Sequence, residues 1–110
     1  MYKVYGIPNC NTVKKALNHL NDSGIDYEFV NFKKTPPTKT LIKKWTKDLG
    51  DIPVNKRGTT FRKFKEEYEA ASKEEKINLL VENSSAIKRP IVEAGETLMG
   101  FDKDKWDDTL

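Results

Sequence analysis

The first third of the chain carries the pattern that most constrains its fold. A run of β-forming residues at positions 2–5 is followed by a loop sequence at positions 6–9 that contains glycine and proline. Apolar residues then recur at helical spacing, at Val13, Ala16, Leu17 and Leu20. Gly24 marks the end of that helix, and a second β-forming run follows at positions 27–32. Strand, helix and strand in this order predict a βαβ unit with parallel strands and the helix packed on one face.

The middle of the chain has helical patterns and no clear strand signal. Thr38 predicts the start of one helix and Gly50 its end, while Ser72 and Glu75 form the capping-box pattern that starts another. Large apolar residues recur at helical spacing and predict core-facing stripes: Leu41, Ile42, Trp45, Leu49, Phe61, Phe64, Tyr68, Ile77, Leu80 and Val81. We therefore predict an inserted helical segment over residues 38–83.

The last part of the chain returns to strands. Short β-forming runs at positions 91–93 and 97–101 flank a turn at positions 94–96 and predict a hairpin. Asp102 predicts the cap of a terminal helix that buries Trp106. This order of elements predicts an α/β fold with a four-stranded mixed sheet flanked by helices, as in thioredoxin-like folds. Because 110 residues suffice for one hydrophobic core but not two, we predict a single domain over residues 1–110.

Composition narrows the class of protein. With 36% hydrophobic and 34% charged residues, the chain is predicted to be soluble, and no run approaches the roughly eighteen apolar residues of a membrane span. The 20 basic and 17 acidic residues are interspersed, which argues against direct nucleic-acid binding. The start of the chain lacks a secretory pattern, and its one cysteine cannot form an internal disulfide. We expect a cytoplasmic monomer with no membrane partner.

Cys10 is the residue best placed for chemistry. It lies between the first predicted strand and the first turn of the first helix, where backbone N–H groups lack intrahelical partners. These N–H groups and the helix dipole stabilise a thiolate, and the amides of Asn11 and Thr12 can also bind an anionic group beside it. A free cysteine can instead be an inert small core residue, but placement before a helix favours a nucleophile.

The residues around Cys10 limit the chemistry that it can perform. Position 13 is valine, so a dithiol cycle of the C-x-x-C type cannot run within this chain. The resolving thiol must come from glutathione, a small dithiol or a partner protein. Arg89, before Pro90, and Arg57, in the polar loop, are candidates to hold an anion over Cys10; otherwise they are ordinary surface arginines.

Metal and cofactor chemistry has little support in the sequence. His19 lies in the middle of the first predicted helix among polar neighbours, so we predict that it faces solvent. It has no second ligand for a metal ion, and we predict neither a metal site nor a bound cofactor.

Four separated motifs, in the same order along the chain, resemble the arsenate-reductase-like ArsC/Spx/MgsR family, most closely its YffB branch. They are residues 5–16 around Cys10, residues 55–62, residues 87–92 and the pair Gly100-Phe101. The resemblance implies a glutaredoxin-like thioredoxin fold with an inserted helical segment. It also implies that Cys10 is the reactive cysteine and that Pro90 is a cis proline facing it.

The oxyanion site of the family is incomplete here. In the glutathione-linked arsenate reductases that this chain resembles, three arginines surround the catalytic cysteine, and Arg89 matches the one before the cis proline. The second aligns near Asn55, two residues before Arg57, and the third aligns near Gly100. Losing two charge-assisted contacts at about 1.5–3 kcal/mol each weakens arsenate binding about a hundredfold or more.

The resemblance therefore implies a glutathione-dependent thiol reductase that uses Cys10 and takes glutathione as an external co-substrate. Its partners would be glutathione or a thiol protein. A different reading is a non-catalytic regulator like Spx, bound to RNA polymerase or another protein, although Spx proteins typically carry C-x-x-C and Val13 replaces the second cysteine. The resemblance also leaves open an arsenate reductase with a degenerate oxyanion site and a family member without thiol chemistry.

Overall fold

The computed structural model describes residues 2–110 and divides them into two compact units. One, here called the sheet unit, combines the chain up to Thr35 with Arg89–Leu110. The other, here called the helical unit, is Pro36–Lys88 and contains the whole predicted insertion, residues 38–83. Whether the chain is one domain, as its length predicts, stays a prediction.

The elements follow the predicted order. They are β1 (Tyr2–Gly6), α1 (Asn11–Asp22), β2 (Tyr27–Asn31), α2 (Lys39–Leu49), α3 (Thr59–Arg62), α4 (Lys65–Ala70), α5 (Lys73–Glu82), a 3₁₀ turn (Ser84–Ala86), β3 (Ile91–Glu93), β4 (Thr97–Met99) and α6 (Lys103–Thr109). The four strands form one sheet in the order β2-β1-β3-β4. β1 and β2 are parallel, whereas β3 is antiparallel to both β1 and β4. The predicted βαβ unit, the hairpin and the mixed four-stranded sheet are therefore confirmed.

The core of the sheet unit lies on the face of the sheet that carries α1 and α6. The register places Val4, Val92 and Leu98 opposite one another, so their side chains share this face. They pack with three fully or almost fully buried helical residues: Ala16, Leu20 and Trp106. The apolar residues that recur at helical spacing in α1 thus form its buried face.

His19 corrects one prediction made from the sequence. Its side chain is only 15% exposed, and its Nε2 lies 2.9 Å from Asp107 Oδ1. Its ring also packs against Phe101 and Trp106, with centroid distances of 5.5 and 6.4 Å. The prediction that His19 faces solvent was wrong because α6, distant in the sequence, covers that side of α1.

Tyr5 lies near the end of β1, before the loop that leads to Cys10, and its side chain links β1 to β3. Its hydroxyl donates to Glu93 Oε1 at 2.7 Å, and its ring stacks on Phe32. Burial raises the pKa of Tyr5 well above its ordinary value. The hydrogen bond to Glu93 and the negative charge of that carboxylate raise it further. The hydroxyl therefore stays protonated at neutral pH and fixes β1 to β3.

In the helical unit, α2 begins and ends as predicted. Thr38 Oγ1 accepts a hydrogen bond from the Leu41 N–H at 3.2 Å, and Gly50 ends the helix with a φ of 80°. Trp45 is fully buried, as its spacing predicts. Thr46 is buried too, and its hydroxyl donates to the Ile42 carbonyl at 2.8 Å. The sequence did not indicate that burial, because threonine is a polar residue. Its hydroxyl can be buried here because the helix carbonyl four residues earlier accepts its hydrogen bond.

The aromatic pattern at positions 61–68 forms two short helices instead of one. α3 ends at Arg62, α4 begins at Lys65, and Phe64 between them has a non-helical φ of −131°. Phe61, Phe64 and Tyr68 are nonetheless buried, with edge-to-face ring contacts at 5.2–6.4 Å. They form the predicted core stripe despite the break in the helix.

Candidate active site around Cys10

Cys10 is the N-cap residue of α1. Its backbone is extended, with φ −87° and ψ 124°, and its carbonyl accepts the Lys14 N–H at 3.0 Å, the first hydrogen bond of the helix. Its own N–H donates to the Ile7 carbonyl at 3.2 Å, which closes the loop after β1. This geometry places the half-buried thiol beside the N–H groups of the first helical turn.

Those N–H groups act on the ionisation of the thiol. Partial burial alone raises the pKa of Cys10, but the hydrogen bond from the Val13 N–H opposes it. Hydrogen bonds from the Arg89 side chain and the Thr12 N–H, together with the positive charge of Arg89, oppose it further. The net result is a pKa of Cys10 below its ordinary value. The cysteine therefore forms a thiolate, the nucleophilic form, at lower pH than a free thiol does.

The sulfur does not close the helix as an oxygen cap would. No ordinary side-chain cap hydrogen bond is formed by Cys10. A protonated sulfur is a large and weak acceptor, and it becomes a strong acceptor only when it ionises. The donors of Val13 and Thr12 consequently favour the thiolate over the thiol.

Gly6 sets how closely α1 approaches β1. A Cβ atom at this position would lie 2.9 Å from Val13 Cγ2, closer than real Cβ contacts allow. The Gly6 carbonyl is fixed by the Phe32 N–H at 2.9 Å, and Val13 is fully buried. Gly6 therefore determines the position of Val13, whose N–H faces the sulfur. The sequence pattern marks Gly6 only as part of a loop, although a glycine at the end of a strand also indicates a close approach.

The segment before β3 brings the second functional group to Cys10. The Arg89-Pro90 peptide bond is cis, which agrees with what the resemblance implies for Pro90. Pro90 is buried, and its carbonyl accepts the Gly100 N–H at 2.8 Å, which joins this segment to the end of β4. Arg89 is half-buried and donates a side-chain hydrogen bond to Cys10. The structure thus brings Cys10 and Arg89 together.

The other predicted binding residues have different positions. Asn11 and Thr12 are the first two residues of α1, with exposed side chains, and Thr12 contacts the sulfur through its backbone N–H. Arg57 lies in an exposed turn of the helical unit, where its N–H donates to Asn55 Oδ1 at 3.2 Å. A role of the Arg57 guanidinium at the active site stays a prediction.

Metal-binding clusters and membrane-spanning helices are both missing from residues 2–110. Within this range, no group of three or more His, Cys, Asp or Glu side chains is arranged to hold a metal ion. No helix in this part of the chain is long and apolar enough to cross a membrane.

The sheet order, the cis proline and the cysteine at the start of α1 define a thioredoxin-like fold of the glutaredoxin kind. A glutaredoxin from Archaeoglobus fulgidus, 16% identical, has a TM-score of 0.54 over 98% of this chain and 83% of its own, which supports the fold alone. A model of the ArsC family matches residues 5–109, and the chain belongs to that family.

Individual relatives agree with this assignment. An uncharacterized protein of Haemophilus influenzae is 36% identical over 109 residues, which cover 96% of each chain. The solved structure of a YffB protein is 35% identical, with a TM-score of 0.89 over 100% of this chain and 99% of that chain. A possible arsenate reductase from Streptococcus mutans is 29% identical, with a TM-score of 0.81 over 97% and 98% of the two chains. The chain is therefore arsenate-reductase-like across its length.

The transcriptional regulator Spx is a more distant relative. Spx from Listeria innocua is 26% identical over 109 residues, which cover 96% of this chain and 83% of Spx. The chain is thus similar both to a protein named as a possible reductase and to a protein named as a regulator.

Proposed function

We propose that the protein is a glutathione-dependent thiol reductase in which Cys10 is the nucleophile. The observation that carries the proposal is the set of donors around its sulfur: two backbone N–H groups of α1 and the side chain of Arg89. These groups lower the pKa of Cys10 and increase the fraction of reactive thiolate near neutral pH. Such donors promote thiol exchange because they stabilise the thiolate, whereas a cysteine that only fills space in a core is not expected to have them.

The proposed reaction has two exchange steps. In the first, the Cys10 thiolate attacks the glutathione sulfur of a mixed disulfide, a new S–S bond forms, and the substrate thiolate leaves with the electron pair of the broken bond. In the second, a glutathione thiolate attacks the Cys10–glutathione disulfide, which releases glutathione disulfide and restores the Cys10 thiolate. The second thiol must come from outside because the chain has one cysteine.

Each neighbouring residue has a proposed part in this cycle. Arg89 and the N–H groups of Thr12 and Val13 stabilise the Cys10 thiolate when it is the attacking group and when it is the leaving group. The exposed first turn of α1, with Asn11, and the segment at Pro90 are proposed to bind the glutathione moiety. We propose that the reaction takes place in the cytoplasm, where glutathione is kept reduced.

A coupled assay tests the proposal. Reduction of a glutathione mixed disulfide is followed through glutathione reductase and NADPH consumption, with arsenate offered as a second substrate in parallel. We expect turnover of the disulfide, no turnover by Cys10→Ser, and normal turnover by Thr38→Ala, a variant of a helix cap in the helical unit. Equal rates for the wild type and Cys10→Ser would refute the proposal, and faster turnover of arsenate would identify an arsenate reductase instead.

A regulator that binds a partner protein is the second candidate. Similarity to Spx over 96% of this chain and 83% of Spx favours it. Because such a protein acts by binding, Cys10→Ser should leave partner binding intact while it abolishes thiol exchange. An unreactive wild-type protein that still binds RNA polymerase would favour the regulator.

A further inference from the structure

A groove in the helical unit has an apolar floor and charged walls. It is a cavity of about 470 Å³ between α2 and α5. Its floor includes Thr46 and Ile77, which are only 4% and 3% exposed. The other lining residues are charged: Lys43, Lys47, Lys73 and Glu74. The stems of the lysines extend the apolar surface while their ammonium groups stay in water.

The positive charge of this groove is only partly neutralised. Glu74 is the one acidic lining residue, and it pairs with both Lys39 at 2.8 Å and Lys43 at 3.5 Å. Lys47 and Lys73 form no ion pair within residues 2–110. Two ammonium groups therefore flank an apolar floor without a counter-charge.

The position of Lys73 adds to this excess. Lys73 is the first residue of α5, next to the positive end of the helix dipole, where a cation is unfavourable. α2 begins with Lys39 and has no acidic residue in its first turn, whereas the first turn of α5 also carries Glu74 and Glu75. A surface that combines lysines with helix N-termini is suited to a negatively charged occupant.

We propose that this groove, formed by Lys47 and Lys73 over the floor of Thr46 and Ile77, is a docking site for an acidic segment of a partner protein. One apolar side chain of the segment fills the cavity, and flanking carboxylates pair with the two unpaired lysines. Lys47 lies on α2 and Lys73 on α5, so the two helices each supply one lysine to carboxylates that flank the apolar side chain.

Features of the groove favour an acidic protein segment over other anions. A nucleic acid would gain from arginine and aromatic side chains, and the described lining contains neither. A free phosphate ion would leave the apolar floor unfilled. This inference concerns the helical unit alone and holds whether or not Cys10 is catalytic.

Binding of a defined probe tests the inference. The probe is a synthetic helical peptide with a leucine flanked by glutamates one turn apart, and its control is the same composition in scrambled order. Addition to the isotopically labelled full chain should shift the backbone amide signals of residues 43–47 and 73–77. Binding should weaken as salt is raised from about 50 mM to about 500 mM.

Matched charge variants decide where the peptide binds. Lys47→Glu with Lys73→Glu should weaken binding about tenfold or more, because two ion pairs become repulsive contacts. Lys63→Glu with Lys65→Glu changes the net charge equally at exposed positions outside the lining and should bind as the wild type does. When the same double variants are made in the Cys10→Ser protein, each should change peptide binding by the same factor as in the wild type.

Three results would overturn the inference. The first is equal weakening by the two double variants, which would mean general charge attraction. The second is equal binding of the scrambled peptide. The third is tighter binding of a single-stranded oligonucleotide, or the same amide shifts with inorganic phosphate, either of which would assign the groove to a different anion.

Discussion

Four of the helices of this protein begin in two different ways. α2, α5 and α6 begin at residues whose side-chain oxygen accepts a backbone N–H three residues later: Thr38 at 3.2 Å, Ser72 at 3.3 Å and Asp102 at 3.2 Å. α1 begins at Cys10, which has the same extended backbone, but its thiol forms no cap hydrogen bond. The N–H three residues later, that of Val13, stabilises the ionised sulfur instead. The position is the same in all four helices, and the atom placed there differs.

The difference separates helix stability from reactivity. An oxygen cap satisfies a backbone donor and stabilises the fold by about 0.5–2 kcal/mol. A sulfur in the same place leaves the donors of Thr12 and Val13 to stabilise a thiolate, with help from Arg89. The same end of a helix is thus structural in three cases and, in the proposed function, chemical in the fourth.

Exchanging the atom at position 10 should have the largest effect. Cys10→Ser supplies an oxygen cap, so we expect thiol alkylation and disulfide exchange to fall to background. We also expect this variant to be more stable than Cys10→Ala by about 1 kcal/mol, as measured by urea unfolding. A serine variant no more stable than the alanine variant would mean that position 10 does not act as a cap.

Removing Arg89 should have the next largest effect. Arg89→Met keeps an apolar stem but loses the hydrogen bond and the charge that lower the pKa of Cys10. The pKa then rises, so the alkylation rate falls at neutral pH, by about tenfold per unit of pKa, while the rates converge well above pH ~8.5. Arg62→Met, at an exposed arginine of α3, is the matched control. An unchanged pH profile for Arg89→Met would exclude Arg89 from the site.

Moving the first turn of α1 should have a smaller effect. Gly6→Ala places a methyl group against buried Val13, so the Val13 N–H moves from the sulfur and the pKa of Cys10 rises. The unfolding free energy should fall by about 1–3 kcal/mol, as expected for overpacking. Val13→Ala added to Gly6→Ala creates room and should restore the alkylation profile. If Gly6→Ala destabilises the protein without moving that profile, Gly6 has only a packing role.

The oxygen caps should have the smallest effect on Cys10. Thr38→Ala and Ser72→Ala each remove a cap in the helical unit and should lower the unfolding free energy by about 0.5–2 kcal/mol. The alkylation profile of Cys10 should be unchanged in both. A shift of that profile would contradict the separation of structural from chemical helix starts.

Much of the architecture was predictable because its signals are local. Thr38 marks the start of α2 through its side-chain oxygen, and Gly50 marks its end through its left-handed backbone. The helical spacing of apolar residues predicts the buried face of α2. The position of Cys10 before α1 was predictable for the same reason, since a strand, a loop and a helix follow one another directly in the sequence.

The remaining features depend on contacts between distant segments. His19 is covered by α6, and the residues next to His19 in the sequence do not indicate that Asp107 will contact it. The 2.9 Å approach to Val13 at Gly6 is a property of how α1 packs on β1. Arg89 was a candidate anion ligand from its position before Pro90 and from the resemblance, but its hydrogen bond to the Cys10 sulfur depends on how β3 lies beside β1. The charge of the α2–α5 groove was missed because lysines spread along the sequence meet only in the fold.

The central claim is that the folded structure lowers the pKa of Cys10, and one measurement tests it directly. The rate of Cys10 alkylation is followed against pH for the folded protein and for the same chain unfolded in urea, with and without reduced glutathione. We predict a midpoint at lower pH in the folded protein, because its donors favour the thiolate, and slower alkylation when glutathione occupies the site. Equal midpoints in the two states, with no protection by glutathione, would contradict both the activated thiol and the reductase proposed from it.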